Sequence, residues 1–498
     1  MSAAPVVGVV GAGAMGSGIA ELAARQGCTV RLHDSRAETL EHAVSAIGAR
    51  LGRDVDKGRL EAAEADAARA RLAPASLAEV AVADIVIEAI VEDLAAKQAL
   101  LRTIEAVARP DAILATNTSS LSVSGIAEVL DRPGRFAGLH FFNPPTRMRV
   151  VEIVRGVATT DATLAALAAF AVTLGQHALH VGDTPGFLVN RLGRGYTGEA
   201  LRILDEGAAT PEAIDAIARG ALGFRMGPFE LLDLTGLDVS AEVTRQVWKG
   251  FDEEPRFRPA PIVERRVAAG LLGRKTGRGF YRYGPDGKVV LEPPWPADAE
   301  PVPVRLIGIP ADLAGGAAAM FPPALLTKDP SAVPVVGPVG TDVATEARRL
   351  GLDPARTVGI DPVFTGVATV AGSDLGLTGG VAASIRATGR DAVVVGAGAG
   401  QPAQRIAVLV VLIACDVASG GIAAPSDIDA ATRLALSYPR GPLALGDAVG
   451  AARIAAMARG FHALTGDPRW RPSAWLDARV AAGETLADSS TPGVSAPN

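Results

Sequence analysis

The stretch Val6-Val7-Gly8-Val9-Val10-Gly11-Ala12-Gly13-Ala14-Met15-Gly16 constrains the fold of this chain more than any other. An apolar run leads into Gly11-x-Gly13-x-x-Gly16, and a helical pattern follows through Gln26. The spacing predicts a buried parallel strand, a tight glycine turn and a helix N-terminus. Gly11 permits the turn, Gly13 lets backbone N–H groups approach a pyrophosphate, and Gly16 lets the helix pack closely on the strand. The helix dipole then favours the phosphate charge, so Gly11, Gly13, Ala14, Met15 and Gly16 form the expected cradle. A second β-branched run, Thr29 to His33, ends at Asp34, 23 residues beyond Gly11. An acid at that point takes the ribose hydroxyls of NAD and disfavours the extra phosphate of NADP, so NAD is the expected cofactor. The alternative is a glycine turn with no ligand, against which strand, turn, helix and acid stand in register.

At 498 residues the chain exceeds what one core supports, and three or four domains are expected. Hydrophobic residues are 49% and charged ones 20%, a globular and not a disordered composition. A net charge of −6 with no basic block argues against nucleic acid as the main partner. Two cysteines, Cys28 and Cys415, cannot build a disulfide framework and fit a reducing cytoplasm. The first 20 residues carry no charged side chain, but they lack a basic segment and glycines break the apolar run. They therefore read as a nucleotide site and not a secretion signal. The apolar stretch Ile406 to Cys415 spans ten residues, a buried helix or strand too short for a membrane span. No metal is expected.

Between Ala37 and Arg71 the pattern predicts a helical pair, with a break bracketed by Gly52 and Gly58. Arg50, Arg53 and Lys57 there are either a solvated face or contacts for the phosphates of a large anionic substrate. Further strands are expected at Asp84–Ala89, Ala112–Thr116, Phe136–His140 and Val150–Val154. Ligands of open α/β sheets bind beyond the carboxyl ends of the strands, where Ser119 and His140 both fall. Oxidising an alcohol with a nicotinamide needs a base for the hydroxyl proton as hydride leaves, and histidine suits this near neutral pH. Of six histidines, His140 alone combines a strand end with a flanking polar cluster. Glu152, twelve residues on, lies in a strand able to return beside it, where a carboxylate would fix the imidazole tautomer. The residues alone leave open a structural histidine at a strand end and a glutamate on an exposed face.

The run Gly11–Gly16, Asn117-Thr118-Ser119-Ser120-Leu121, His140-Phe141-Phe142-Asn143-Pro144-Pro145, Pro185-Gly186-Phe187-Leu188-Val189-Asn190-Arg191, Gly227-Pro228-Phe229 and Gly273 to Tyr281 together resemble the (S)-3-hydroxyacyl-CoA dehydrogenases. The motifs keep their order over about 280 residues. Within the family the chain is most similar to the long bacterial form of phenylacetate degradation. The resemblance implies His140 as general base paired with Glu152, with Ser119 and Asn190 holding the substrate oxygen. It implies cofactor contacts at Asp34, Glu92, Lys97, Asn117, Asn143 and Lys275. Ser119 as a helix cap, Asn190 as a buried polar group, Glu92–Lys97 as a surface pair and Lys275 as a loop cation are the plain alternatives. The substrate would be an acyl-CoA of the 3-hydroxybutyryl or 3-hydroxyadipyl type, in fatty acid or phenylacetate catabolism. A cytoplasmic homodimer with no nucleic-acid or membrane partner is implied. Arg147, Arg149 and Arg225 are candidates for a terminal carboxylate, with surface roles equally open.

The fold class expected is α/β plus all-α. A Rossmann domain spans 1–184 and a helical substrate and dimerisation domain 185–290. A degenerate α/β domain spans 300–390, a second helical repeat 391–485 and a flexible tail 486–498. A linker is expected at Pro293–Asp298. The second helical region repeats the first at an offset of 214 residues: Arg191 matches Arg405, Gly227-Pro228 match Gly441-Pro442, and Asp233 matches Asp447. At the catalytic position Asn190 becomes Gln404, so the copy reads as structural. By the same alignment the glycine run Gly396 to Gly400 is the entry into the repeat and not a second nucleotide turn. The rival functions are a dehydrogenase of small free hydroxy acids and a catalytically silent NAD-binding scaffold.

Overall fold

The computed structural model describes residues 4–287, 289 and 299–488. The chain divides into two compact units, one of Met1–Val189 with Gly421–Leu436, the other of Asn190–Gly420 with Ser437–Asn498. The second helical repeat expected over 391–485 is thus split, since Gly421–Leu436 belongs to the first unit. The expected linker Pro293–Asp298 lies outside the described residues, and so does the tail beyond Asp488. The tail does not begin at residue 486 as expected: Leu486 is buried, and its N–H donates to Asp447 at 2.6 Å.

The first unit is built on eight strands: β1 (Val6–Val10), β2 (Thr29–His33), β3 (Leu72–Pro74), β4 (Ile85–Glu88), β5 (Ile113–Thr116), β6 (Phe136–Phe141), β7 (Val150–Arg155) and β8 (His177–Gly182). Their order in the sheet is β3-β2-β1-β4-β5-β6-β7-β8. Every neighbouring pair is parallel except β6–β7. Central strands such as β4 and β5 are buried throughout, which is why they read as continuous apolar runs without alternation. The helical pair is Ala37–Asp56 and Ala62–Arg71, so the first helix runs through Gly52 and breaks only near Gly58. The helix Pro425–Ala435, from the second repeat, packs beside β8, where Gly182 N–H donates to Ile422 O at 2.9 Å.

The second unit holds a smaller sheet: β9 (Val304–Ile307), β10 (Val333–Val336), β11 (Val358–Ile360), β12 (Ala368–Ala371) and β13 (Ala392–Val395), ordered β13-β12-β11-β10-β9. This sheet reproduces β4 to β8 in order and in its one antiparallel pair, β11–β12. In β6–β7, Leu139 faces Ile153 and His140 faces Glu152; in β11–β12, Ile360 faces Val370 and Asp361 N–H donates to Thr369 O. The match extends to the loop after β5, where Ser122 caps a helix as Asp342 does after β10. Counterparts of β1 to β3 are absent among the described residues. The glycine run Gly396–Gly400 follows the last strand, β13, where β8 has its exit, and not a first strand.

Both helical repeats contribute to this unit. The long helices Val189–Asp205 and Pro402–Ser419 pack at Gly195, whose added Cβ would stand 3.2 Å from Val410 Cα. Arg405, fully buried, is held by Glu199 at 2.6 Å and Glu206 at 2.5 Å. The Pro402–Ser419 helix is apolar enough to cross a membrane by composition, yet it is a core helix of this unit. The helix Pro211–Gly220 packs against β13, with Ala213 and Ile217 in one buried cluster with Val393 and Val395. Equivalent helices of the two repeats, Pro211–Gly220 and Pro425–Ala435, therefore each lie on the sheet of the other half.

Candidate active site

The glycine turn has the shape its sequence demands. Gly11 has φ 101°, and a Cβ there would meet Ala89 O at 2.5 Å. A Cβ on Gly16 would stand 1.8 Å from Gly11 O, so only glycine lets this helix start against β1. Gly13 is different: a Cβ there would meet nothing within 4 Å, and the open side is where a phosphate approaches. No side chain caps the helix Ala14–Arg25, which leaves its first-turn N–H groups for an anion. At the end of β2, Asp34 Oδ2 accepts the Ala12 N–H at 2.9 Å and lines a cleft with Gly11, Leu77 and Ile90. These residues fit NAD: a phosphate cradle, an apolar wall and a carboxylate for the ribose.

A buried network links this turn to the Ser119 loop. Lys97 is 1% exposed, not a surface cation, and its Nζ lies 2.7 Å from Glu88 Oε1 and 3.3 Å from Glu92 Oε2. Glu88, at the end of β4, also accepts Thr116 Oγ1 at 2.6 Å. Glu92 turns its Oε1 to the loop after β5, accepting Thr118 Oγ1 at 2.7 Å, Ser119 N–H at 2.9 Å and Ser120 Oγ at 2.9 Å. Burial pushes the Glu92 carboxyl up, but the Thr118 hydroxyl, the Lys97 charge and the Ser119 N–H outweigh it and hold it below the usual range. Ser119 Oγ sits 3.4 Å from Glu92, so Ser119 is positioned by its own backbone as well as its hydroxyl. Asn117 Oδ1 accepts the Phe141 N–H at 2.9 Å and ties this loop to the end of β6.

His140 and Glu152 face each other across β6 and β7, both buried, with Nδ1 2.6 Å from Oε2. The other carboxylate oxygen accepts Leu188 N–H at 3.1 Å and Val189 N–H at 2.8 Å. Those two donors are aimed by a tight turn in which Phe187 adopts φ 50°, a strained value for a bulky residue. Phe142 and Phe187 flank the imidazole with ring centroids at 4.6 Å and 5.8 Å. A carboxylate fixed by two N–H groups can only accept from the imidazole, so Nδ1 carries hydrogen and Nε2 is left with a lone pair.

The same unit carries a basic cleft lined by Arg25, Arg50, Arg53, Lys57, Arg59 and Arg147 with two acids, Glu21 and Asp54. Arg50 is held by Glu21 at 2.5 Å and Arg25 by Asp54 at 2.9 Å. Among the described residues Arg53, Lys57 and Arg147 make no ion pair. The cations of the helical pair are thus gathered with Arg147 around one cleft, in which Arg53, Lys57 and Arg147 remain exposed.

The remaining expected residues lie elsewhere. Asn143 is exposed just after β6. Asn190, the second residue of the Val189–Asp205 helix, opens the second unit directly after the Val189 that holds Glu152. Lys275 is also in the second unit, paired with Asp238 at 2.6 Å. Glu88, Thr116 and Phe187 were not foreseen; a glutamate at the inner end of an apolar strand, nine residues before a lysine, was the available signal. No cluster of three metal-ligating side chains occurs among the described residues.

Comparison with known proteins fits this geometry. The model of the 3-hydroxyacyl-CoA dehydrogenase NAD-binding domain matches residues 6–184, and that of the C-terminal domain matches 186–283 and 400–493. The chain belongs to the 3-hydroxyacyl-CoA dehydrogenase family. It is an NAD-dependent enzyme acting on 3-hydroxyacyl-CoA. It is 36% identical to the 3-hydroxyadipyl-CoA dehydrogenase of Escherichia coli over 95% of this chain and 97% of that one. The crystal structure of a 3-hydroxybutyryl-CoA dehydrogenase from Escherichia coli K12 matches with a TM-score of 0.85 at 34% identity, covering 97% of this chain and 99% of that one. The pig mitochondrial hydroxyacyl-coenzyme A dehydrogenase is 39% identical over 56% of this chain and 90% of its own length.

Proposed function

We propose that His140 is the general base in the oxidation of an (S)-3-hydroxyacyl-CoA to its 3-oxo form, oriented by Glu152. The observation that carries this is the Glu152 carboxylate, which takes two backbone N–H groups on one oxygen and the imidazole on the other. Nε2 then accepts the C3 hydroxyl proton, and the charge formed on the imidazole meets the carboxylate at 2.6 Å. Ser119 and Asn190 donate to the C3 oxygen as its negative charge develops. NAD, when bound, supplies the hydride acceptor; the glycine turn, Asp34 and the Glu92 loop hold and orient it. Lys97 acts through Glu88 and Glu92, and Asn143 and Lys275 complete the contacts to the cofactor.

Arg53, Lys57 and Arg147 bind the phosphates of the CoA moiety, which favours a CoA ester over a small free hydroxy acid. The retained base pair likewise speaks against a silent scaffold. The physiological setting in this reading is cytoplasmic fatty acid or phenylacetate catabolism. The assembly in this reading is a homodimer.

The test follows NADH formation with (S)-3-hydroxybutyryl-CoA and (S)-3-hydroxyadipyl-CoA in wild type and His140→Ala. Turnover in wild type that the variant loses by about 10²- to 10⁴-fold is the expected result. Full activity in His140→Ala removes the assigned base, and no turnover of any CoA ester by wild type removes the substrate class.

A further inference from the structure

Among the described residues four positions other than glycine have a positive φ, and three of them, Asp252, Glu253 and Ser437, are polar and exposed. The fourth is Phe187, with φ 50° and 1% of its surface exposed. A buried aromatic residue holds a left-handed backbone only where its surroundings require it. The setting is a tight turn: Phe187 N–H donates to Thr184 O at 2.9 Å, Pro185 fixes the first corner, and Gly186 has φ 69°. Two left-handed residues in succession turn the chain so that the next two N–H groups, of Leu188 and Val189, reach one acceptor. That acceptor is Glu152 Oε1, at 3.1 Å and 2.8 Å.

The ring serves the other partner of the pair. Its centroid lies 5.8 Å from that of His140 at an interplanar angle of 57°, with Phe142 at 4.6 Å. A glycine at 187 would make the turn without strain but would leave this side of the imidazole unfilled. A residue with an ordinary φ would fill the space but send the two N–H groups elsewhere. Only the strained backbone lets one residue do both.

The internal repeat supplies an independent observation. At the 214-residue offset Gly186-Phe187-Leu188-Val189 becomes Gly400-Gln401-Pro402-Ala403. Gly400 keeps a positive φ of 106°, but Gln401 has φ −68° and ψ 132°, an ordinary extended conformation. Pro402, in place of Leu188, has no N–H to give. In this half Thr369 stands opposite Asp361 where Glu152 stands opposite His140, so no carboxylate at that place receives two donors. The strained residue and one of its donors are gone where the base pair is gone, while the glycine and the long helix remain. A turn needed only to start the helix would have no reason to differ between the copies.

We propose that Phe187 is a positioning residue for the reaction: its left-handed backbone clamps Glu152 and its ring braces His140, so that the imidazole keeps one orientation. This rests on His140 acting as the base. With both N–H groups on Oε1 the carboxylate cannot turn, and Oε2 stays 2.6 Å from Nδ1. Released from them, Glu152 swings and takes the imidazole with it, and a base displaced by about 1 Å loses about 100-fold in rate. Side-chain volume alone predicts that valine at 187 is tolerated better than glycine. The turn predicts the reverse, since a β-branched residue resists a positive φ and glycine accepts it.

The experiment measures kcat for (S)-3-hydroxybutyryl-CoA oxidation in wild type, Phe187→Gly, Phe187→Val, Glu152→Gln and the double variant Phe187→Val/Glu152→Gln. The far-downfield proton resonance of Nδ1–H reads the His140–Glu152 bond without turnover. Phe187→Gly stays within about 10-fold of wild type and keeps the resonance, since glycine makes the turn freely. Phe187→Val loses about 100-fold in kcat, with both KM values within about threefold of wild type, and loses the resonance. Because Phe187 acts through Glu152, adding Phe187→Val to Glu152→Gln lowers kcat by no more than about threefold further. Phe187→Ala, close to glycine in size but resisting a positive φ, replaces Phe187→Val if that variant does not fold, and it too must fall below Phe187→Gly. A valine or alanine variant at least as active as Phe187→Gly overturns the proposal, and so do losses that multiply in the double variant, which make Phe187 a packing residue alone. If His140→Ala or Glu152→Gln turns over like wild type, the proposed function fails first.

Discussion

Glu152→Gln changes one atom of the active site and separates orientation of His140 from packing around it. In the wild type one carboxylate oxygen accepts two N–H groups, from Leu188 at 3.1 Å and Val189 at 2.8 Å, and the other accepts Nδ1–H at 2.6 Å. A glutamine has one oxygen and one NH₂. Turning the NH₂ toward the two backbone donors would leave both buried and unpaired, at about 1–3 kcal/mol each. The oxygen therefore stays with Leu188 and Val189, and the NH₂ faces the imidazole. Nδ1 must then accept, which places the proton on Nε2 and removes the lone pair that takes the substrate proton. A base held in the wrong tautomer loses about 10³- to 10⁴-fold in kcat, by analogy with the corresponding carboxylate-to-amide change in a serine protease triad. The assay is kcat for (S)-3-hydroxyacyl-CoA oxidation, with NAD binding and circular dichroism as controls for the fold. Glu152→Ala is less informative, since it opens a cavity and orphans two N–H groups together. A Glu152→Gln enzyme within about threefold of wild-type kcat, or one that loses only KM, would refute the tautomer argument.

Three further outcomes follow from the same structure. Neutralising Arg53, Lys57 and Arg147 together raises KM for the CoA ester about 10-fold or more with little change in kcat; salt titration checks it, because the wild-type KM should rise with ionic strength and the variant's should not. Lys97→Met leaves the buried Glu88 carboxylate without its cation and lowers stability to urea by about 3–5 kcal/mol, whereas Glu88→Gln/Lys97→Met recovers most of the loss. Glu92 has a folded pKa below its unfolded one, so its contribution to stability is present above the unfolded value of 4.5 and is lost as pH falls through the folded pKa. The urea midpoint of wild type should therefore fall more steeply below that pH than that of Glu92→Gln, and parallel curves would contradict the assignment.

Much of this site was legible because its chemistry is local in sequence. A glycine turn, an acid at the end of β2 and polar clusters at the ends of β5 and β6 all lie within short windows. The pairing of His140 with Glu152 was also accessible, because a strand that returns antiparallel brings residues twelve apart face to face. What the sequence concealed depends on contacts between distant segments. Lys97 looks like a surface lysine on an amphipathic helix, and only the fold shows it between Glu88 and Glu92. The short strand β12 and the division of the second helical repeat were hidden for the same reason. Packing of Pro425–Ala435 beside β8 is decided by a fold-wide exchange and not by any local pattern.

The second half shows what the architecture keeps when chemistry is withdrawn. At the place of the Ser119 loop, Gly340 N–H donates to Gln404 Oε1 at 3.0 Å, while Gln404 Nε2 donates to Pro338 O at 2.9 Å and to Asp361 at 3.0 Å. Asp361 stands where β6 has His140, and burial pushes its carboxyl up to about 6 against the hydrogen bonds from Gln404, Val363 and Phe364. In the proposed mechanism the equivalent groups of the first half act on the alcohol; in the second half these groups satisfy one another. The loop there also closes on the Ala451–Thr465 helix, where a Cβ on Gly460 would stand 2.3 Å from Gly340 O. What the copy retains is support. Its long helix Pro402–Ser419 lies along Val189–Asp205, and Arg405 reaches into Glu199 and Glu206 on that helix. Asn190 is borne by that helix, so the copy, with Gln404 in place of Asn190, packs on the element that carries the original.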